Sequence, residues 1–262
     1  MYQNYIFDLY GTLVDIHTDE TVRGLWKQMA ELYTRRGAAY RPEELRETYE
    51  MLCREETKKK GSENGSPFPE PDLADVFRAL YERAPGAQVT VTEELLQHTA
   101  DEFRTLSLRR LRPRSHAAEV LKALHRQGKK VYLLSNAQRL FTVPELFQTG
   151  LYGLFDAICL SSDAGIKKPD PAFLERLLKE QGAKREESVL VGNELDTDMA
   201  VAAFCGVRGI FLNTGNVPLS DIRLFEDRMR AEGIEPDFQM QMSGDLRYVL
   251  RTAREEKTEK TE

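Results

Sequence analysis

Cysteine is scarce in this chain: Cys53, Cys159 and Cys205 are the only three in 262 residues. They are too few and too scattered for a disulfide framework or a zinc site, and two of them sit in apolar runs, where a buried thiol is the ordinary reading. Long apolar runs are missing too. No stretch approaches the roughly 18 residues that a membrane-spanning helix needs. The first residues enter an apolar strand with no basic segment, apolar h-region or cleavage site before it, so a cytoplasmic location is expected. Positive charge is not in excess. With 37 Lys and Arg against 43 Asp and Glu, the net charge is -6, which offers no broad footprint for nucleic acid. Two local basic runs, Arg109-Arg110-Leu111-Arg112 and Lys58-Lys59-Lys60, read as solvated faces. No internal repeat is present.

What the chain does have is enough apolar material for a sizeable core: 41% of its residues are hydrophobic and 31% are charged. Its most informative stretch is Tyr5-Ile6-Phe7-Asp8-Leu9-Tyr10-Gly11-Thr12-Leu13-Val14-Asp15, an apolar run that ends in an acid followed by turn chemistry. That pattern predicts a buried strand with Asp8 at its C-terminal edge. In an open parallel sheet this edge is where ligands bind, and a carboxylate there can attack an electrophile.

Three later segments repeat the theme. Val131-Tyr132-Leu133-Leu134-Ser135-Asn136 predicts a second strand ending in a hydroxyl residue. Gly165-Ile166-Lys167-Lys168-Pro169-Asp170-Pro171 sets a lysine just before a helix start. Ser188-Val189-Leu190-Val191-Gly192-Asn193-Glu194-Leu195-Asp196-Thr197-Asp198 predicts a third strand running into an acidic loop. The alternation of strands and helices from Ala117 to Leu212 calls for right-handed crossovers and a doubly wound parallel α/β sheet.

Between the first strand and Pro113 the pattern is helical. Val22, Leu25, Trp26, Met29, Leu32 and Tyr33 fall on one face, and Leu45, Tyr49, Leu52 and Cys53 suggest a second helix. A connector from Lys60 to Pro71, rich in Gly, Ser and Pro, leads to helices around 72–84 and 92–107. The expected division is a core of residues 1–15 and 108–253, a helical insert over 16–107, and a disordered charged tail over 254–262. A helix and a last short strand are expected within 217–252.

The order of acid, hydroxyl, lysine and acidic loop resembles the haloacid dehalogenase (HAD) superfamily of aspartate-nucleophile hydrolases over most of residues 1–215. The resemblance implies a Rossmann-like core with a helical cap and a covalent aspartyl intermediate. Asp8 would be the nucleophile, and Tyr10 and Thr12 would share its loop. Ser135 and Asn136 would bind the transferred group, and Lys168 would balance charge in preference to Lys167. Lys27, on the first cap helix, is the candidate cap contact to an anionic substrate, the alternative being the solvent-facing lysine usual on an amphipathic helix. An alternative for Ser135 is a helix N-cap.

The resemblance also implies Mg²⁺, held by Asp8, Tyr10 through its carbonyl, Asn193, Glu194 and Asp198. Asp196 is expected to face solvent or cap the helix. Two positions depart from the phosphatase pattern: Asn193 stands where that branch has an acid, and Tyr10 stands where it has the proton-shuttling acid. Tyrosine is a poor shuttle at neutral pH. The expected activity is a Mg²⁺-dependent phosphatase of small phosphomonoesters. The alternatives are a metal-independent 2-haloacid dehalogenase, to whose Asp-x-Tyr-Gly-Thr form the first motif is similar, and a degenerate member that only binds a ligand or partner. A dehalogenase would need an arginine for the substrate carboxylate, for which Arg23, Arg35 and Arg36 are available.

Overall fold

The structure, a computed structural model, describes residues 2–252. The expected charged tail over 254–262 lies outside those residues. Six parallel strands form the main sheet: β1 (Asn4–Phe7), β4 (Lys130–Ser135), β5 (Ala157–Leu160), β6 (Ser188–Gly192), β7 (Arg208–Leu212) and β8 (Phe238–Gln241). Their order is β5-β4-β1-β6-β7-β8. β1 therefore lies between β4 and β6, where the winding direction reverses, and a crevice opens beyond the strand ends at such a point.

The four central strands, β4, β1, β6 and β7, are buried on both sides, as a parallel sheet covered by helices requires. One face presents Tyr5, Phe7, Val131, Leu133, Val189 and Val191, and packs on Val120, Leu121 and Leu124 of α5 (Ala117–Arg126). The other presents Ile6, Leu134, Leu190 and Phe211. It packs on Phe173, Leu174 and Leu177 of α8 (Pro171–Gln181) and on Ile222 and Phe225 of α10 (Leu219–Ala231). Registers Phe7↔Leu133 and Phe7↔Val191 bring the residues after β1, β4 and β6 to one edge.

The sequence pattern after Asp15 reads as helix, but the chain first makes β2 (Val14–Thr18), which pairs antiparallel with β3 (Leu108–Pro113). The ribbon buries only Val14 fully, with Ile16 and Leu111 partly covered, and five residues of β2 are too short a run to stand out against the helical pattern that follows. Its exposed arginines are the run that read as a solvated face. Between β2 and β3 lie α1 (Leu25–Arg35), α2 (Pro42–Asn64), α3 (Leu73–Glu82) and α4 (Glu93–Ser107). α2 runs further than its pattern suggests, through Gly61 and Ser62, and stops where Gly65 takes φ 64 and donates to the Gly61 carbonyl.

These four helices share an apolar core of their own that includes Leu25, Met29, Tyr33, Leu45, Phe77 and Phe103. Two residues from the sheet side, Leu140 and Phe141, join it. Phe141 of α6 (Arg139–Gln148) stacks on Phe103 with ring centroids 6.1 Å apart. The connector after α2 is also tied to the loop before α8, because Lys167 N donates to Phe68 O (3.0 Å) and Glu70 N to Gly165 O (3.0 Å). No helix among the described residues is long and apolar enough to cross a membrane.

Candidate active site

Asp8 directly follows β1 and is nearly buried, at 7% exposure. Its Oδ1 accepts from Lys168 Nζ at 2.8 Å, and Ser135 Oγ approaches the same oxygen at 3.5 Å. Lys168 Nζ also donates to Asp198 Oδ1 at 2.6 Å. The lysine is thus pinned between two carboxylates in a buried group with one net negative charge. Burial is the largest influence on Asp8 and pushes its carboxyl up to about 7, against the opposing pull of Lys168. Burial alone would lower Lys168, but the charges of Asp198 and Asp8 overcome it and hold the ammonium firmly protonated.

Asp198 owes its orientation to a π-helical turn, Leu195–Met199, that follows β6. The turn folds the carboxylate back so that its Oδ2 accepts from the amides of Asn193 and Glu194, each at 3.0 Å. A side chain on Gly192 would occupy the space of Asp198, so the last residue of β6 has to be glycine. Gly11 carries a similar constraint: its φ is +86, and a Cβ there would come within 2.5 Å of Asn193 Nδ2. That fit lets Asn193 Oδ1 accept from Thr12 Oγ1 at 2.9 Å.

Asp8, Ser135, Lys168 and Asp198 therefore meet at one edge, with Thr12 and Asn193 bracing the loops beside them. Ser135 is not a helix cap, since α6 starts after Gln138. Asn136 is turned onto the lysine's own backbone: its Nδ2 donates to Lys168 O (3.0 Å) and its Oδ1 accepts from Lys168 N (2.8 Å). Those bonds engage both polar atoms of the side chain expected to bind the transferred group. Lys167 points elsewhere, to Glu70 at 3.3 Å. Asp196 is exposed and ion-paired with Arg228.

The structure does not bring Lys27 to this group. It is exposed on α1 and lines a depression with Ala30, Glu31, Thr34, Arg35 and Tyr40, as its place on an amphipathic helix allows. The Tyr10 side chain also points away from this group. Its hydroxyl donates to Glu145 and lies 3.1 Å from Thr142 Oγ1, both on α6. Burial first, and then the Glu145 charge, raise the Tyr10 phenol well above its ordinary value. Glu145 in turn faces Arg104 of α4 at 2.9 Å, and that guanidinium lies over the Phe141 ring at 4.0 Å. Glu145 and Arg104 escaped the sequence reading. The available signal was a carboxylate inside the otherwise apolar Phe141–Phe147 stretch.

The donor set fits Mg²⁺ only alongside an anionic substrate. Both Asp198 oxygens are engaged, and Asn193 Oδ1 already accepts from Thr12. No group of three or more His, Cys, Asp and Glu side chains among the described residues is arranged to hold a metal. The donors that remain are the second Asp8 oxygen, the Tyr10 carbonyl, the spare lone pair of Asn193 and the exposed Glu194. Mg²⁺ commonly takes one or two carboxylates and completes its shell with substrate phosphate and water.

The family model for haloacid dehalogenase-like hydrolases matches residues 2–206. A phosphoserine phosphatase of Thermus thermophilus is 31% identical over 144 residues, which are 55% of each chain. A glyceraldehyde 3-phosphate phosphatase of Methanothermobacter thermautotrophicus is 30% identical over 104 residues, 40% of this chain and 46% of that one. The chain thus spans about half the length of these curated relatives. Among solved structures, a 2-haloacid dehalogenase from Pseudomonas syringae aligns with TM-score 0.61 at 19% identity, covering 97% of this chain and 99% of the other. A HAD phosphatase from Thermococcus onnurineus aligns with TM-score 0.55 at 18% identity, covering 95% and 97%. These structural likenesses concern the fold.

Proposed function

The chain belongs to the haloacid dehalogenase-like hydrolases, and from that membership we propose that it hydrolyses small phosphomonoesters through a phosphoaspartyl intermediate on Asp8. The observation that carries this reading is the buried Lys168 ammonium held between Asp8 and Asp198. It leaves the second Asp8 oxygen for attack and places a fixed cation where charge gathers on the transferred group. The phosphatase names of its sequence relatives support phosphorus as the centre attacked.

In the first step the Asp8 oxygen bonds to phosphorus and the ester P–O bond breaks, the leaving oxygen taking its proton from water. Ser135 Oγ donates to a phosphoryl oxygen, and Lys168 offsets charge on both the nucleophile and that group. Water then adds to phosphorus, the Asp8–O–P bond breaks, and phosphate and the free carboxylate result. Asp198 holds Lys168 in place throughout and stays tied to the amides of Asn193 and Glu194. Mg²⁺, held by Asp8, the Tyr10 carbonyl, Asn193 and Glu194 together with substrate, would supply further neutralisation of the phosphoryl charge. The four helices α1–α4 act in this reading as the cap that keeps bulk water from the reacting centre.

A second reading rests on Tyr10. Its phenol is committed to α6, so the position two after the nucleophile offers no acid for a leaving oxygen. A halide needs none, which favours displacement at carbon without metal. Arg23, Arg35 and Arg36, the arginines available for a substrate carboxylate, are exposed. Phosphate release from a phosphomonoester panel, with and without Mg²⁺, beside chloride release from 2-chloropropionate, separates the two. Mg²⁺-dependent phosphate release lost in Asp8→Asn supports the phosphatase. Metal-independent chloride release overturns it, and silence in both assays leaves a ligand-binding member.

A further inference from the structure

A charged cavity of about 460 Å³ lies at the base of the β2–β3 ribbon, enclosed by the start of α5 and the turn that follows β8. None of Asp8, Ser135, Lys168 and Asp198 lines it. Its charged wall is made by Asp15, Arg112, Arg114, His116, Asp245 and Arg247. The volume falls within the range of small-molecule sites, roughly 300–1,000 Å³.

The charges in this wall do not balance. Asp15 is divided between Arg110 and Arg112, each at 2.9 Å, and Asp245 is engaged by Arg247 at 2.9 Å. His116 is occupied with Glu119 at 2.7 Å. Arg114 is left over. Its Nε is fully buried without a hydrogen-bond partner, and its guanidinium has no ion pair among the described residues. Three guanidinium groups, those of Arg112, Arg114 and Arg247, thus line the cavity with two carboxylates, Asp15 and Asp245, in a chain whose net charge is -6. A partly desolvated cation without a partner is costly, and a planar guanidinium fork matches a tetrahedral oxyanion. The first turn of α5 opens here without a side-chain cap and adds the positive end of a helix dipole.

We propose that this cavity binds a small phosphoryl dianion, free or carried on an ester, at a site separate from Asp8. The site adjoins the nucleophile loop through two contacts. Arg114 N donates to Leu13 O at 2.8 Å, and Gly244 of the cavity packs on Thr214, whose Oγ1 donates to Gly11 O at 2.8 Å. Occupancy therefore bears on the loop that carries Asp8, as an effector would.

Calorimetric titration of the full chain tests this, using inorganic phosphate and, separately, phenyl phosphate. The background is Asp8→Asn, which prevents turnover; Ser135 and Lys168 still stand beside position 8, so the binding assigned to the cavity is the part that an arginine substitution in its wall removes. At least one of the two ligands binds, and Arg114→Gln and Arg247→Gln each weaken that binding about tenfold or more. Arg247 is half exposed, so its substitution carries the test if Arg114→Gln fails to fold. Binding of phosphate alone identifies the free anion as the ligand, and binding of phenyl phosphate alone identifies the ester. Binding unchanged in a folded arginine variant, or no binding of either ligand, overturns the proposal.

Discussion

Asp8 is buried as an ion in a group that already has one carboxylate too many, and this sets its behaviour with pH. A carboxyl pushed up to about 7 is half protonated near neutrality, and only its ionised form can attack. We expect kcat/KM, which reports the free enzyme, to rise with pH through about 7 and then level. A profile flat between about pH 5 and 8 would contradict this. The same shift has a stability consequence. The folded state holds the Asp8 proton more tightly than the unfolded chain does, so ionisation costs stability as pH rises from about 4 to 7. Asp8→Asn, which mimics the protonated form, should stabilise the protein by about 1–3 kcal/mol above pH 7 and by little near pH 4, as urea unfolding at the two pH values would measure. Lys168→Met acts in the opposite direction. It strands two buried carboxylates, and we expect a loss of about 3–5 kcal/mol together with a hundredfold to thousandfold fall in kcat.

At the scale of elements, the site depends on how β6 meets its π-helical turn and on how α4 meets α6. Gly192→Ala puts a methyl group where Asp198 sits. The strand end or the carboxylate has to move off Lys168, so kcat should fall at least tenfold with a stability loss of about 1–3 kcal/mol by thermal melt. Arg104→Met removes the cation facing buried Glu145 and should cost about 3 kcal/mol. A double-mutant cycle with Glu145→Gln should show a combined loss well short of the sum, because the neutral amide no longer needs the guanidinium. Additive losses would mean that the 2.9 Å contact contributes nothing. The legible elements were those whose signal is local. β1, β4 and β6 are short apolar runs, each ending in chemistry, and α5 is a periodic helix ended by a turn. The β2–β3 ribbon was not legible because its pairing partners, such as Asp15 and Arg112, are 97 residues apart and its charged face is exposed. The course of Tyr10 was hidden for a related reason: its hydroxyl is bound by Glu145, 135 residues away.

At the scale of the whole molecule, the chain is a member of the haloacid dehalogenase-like hydrolase family whose sheet edge gathers the four motif residues, and whose inserted helices are joined to the sheet side in several places, two of which bear on the site. One is the Phe141 and Arg104 seam between α4 and α6. The other is the connector hydrogen-bonded to the loop that carries Lys168. Sequence motifs indicated which residues would meet, since Asp8, Ser135 and the loop of Asp198 stand at the ends of apolar runs and Lys168 stands just before a helix start. They could not indicate that Asn136 would face the lysine backbone, because side-chain direction at a junction depends on packing between distant segments, whereas the amphipathic pattern around Lys27 already allowed an exposed lysine. The central claim is that Asp8 becomes phosphorylated during turnover. Acid quenching in the first turnover with a phosphomonoester, followed by digestion and peptide mass analysis, tests it directly. The account predicts one added phosphoryl group on the peptide containing Asp8 and none in Asp8→Asn. Phosphate release without that adduct, or an adduct on another peptide, would contradict it.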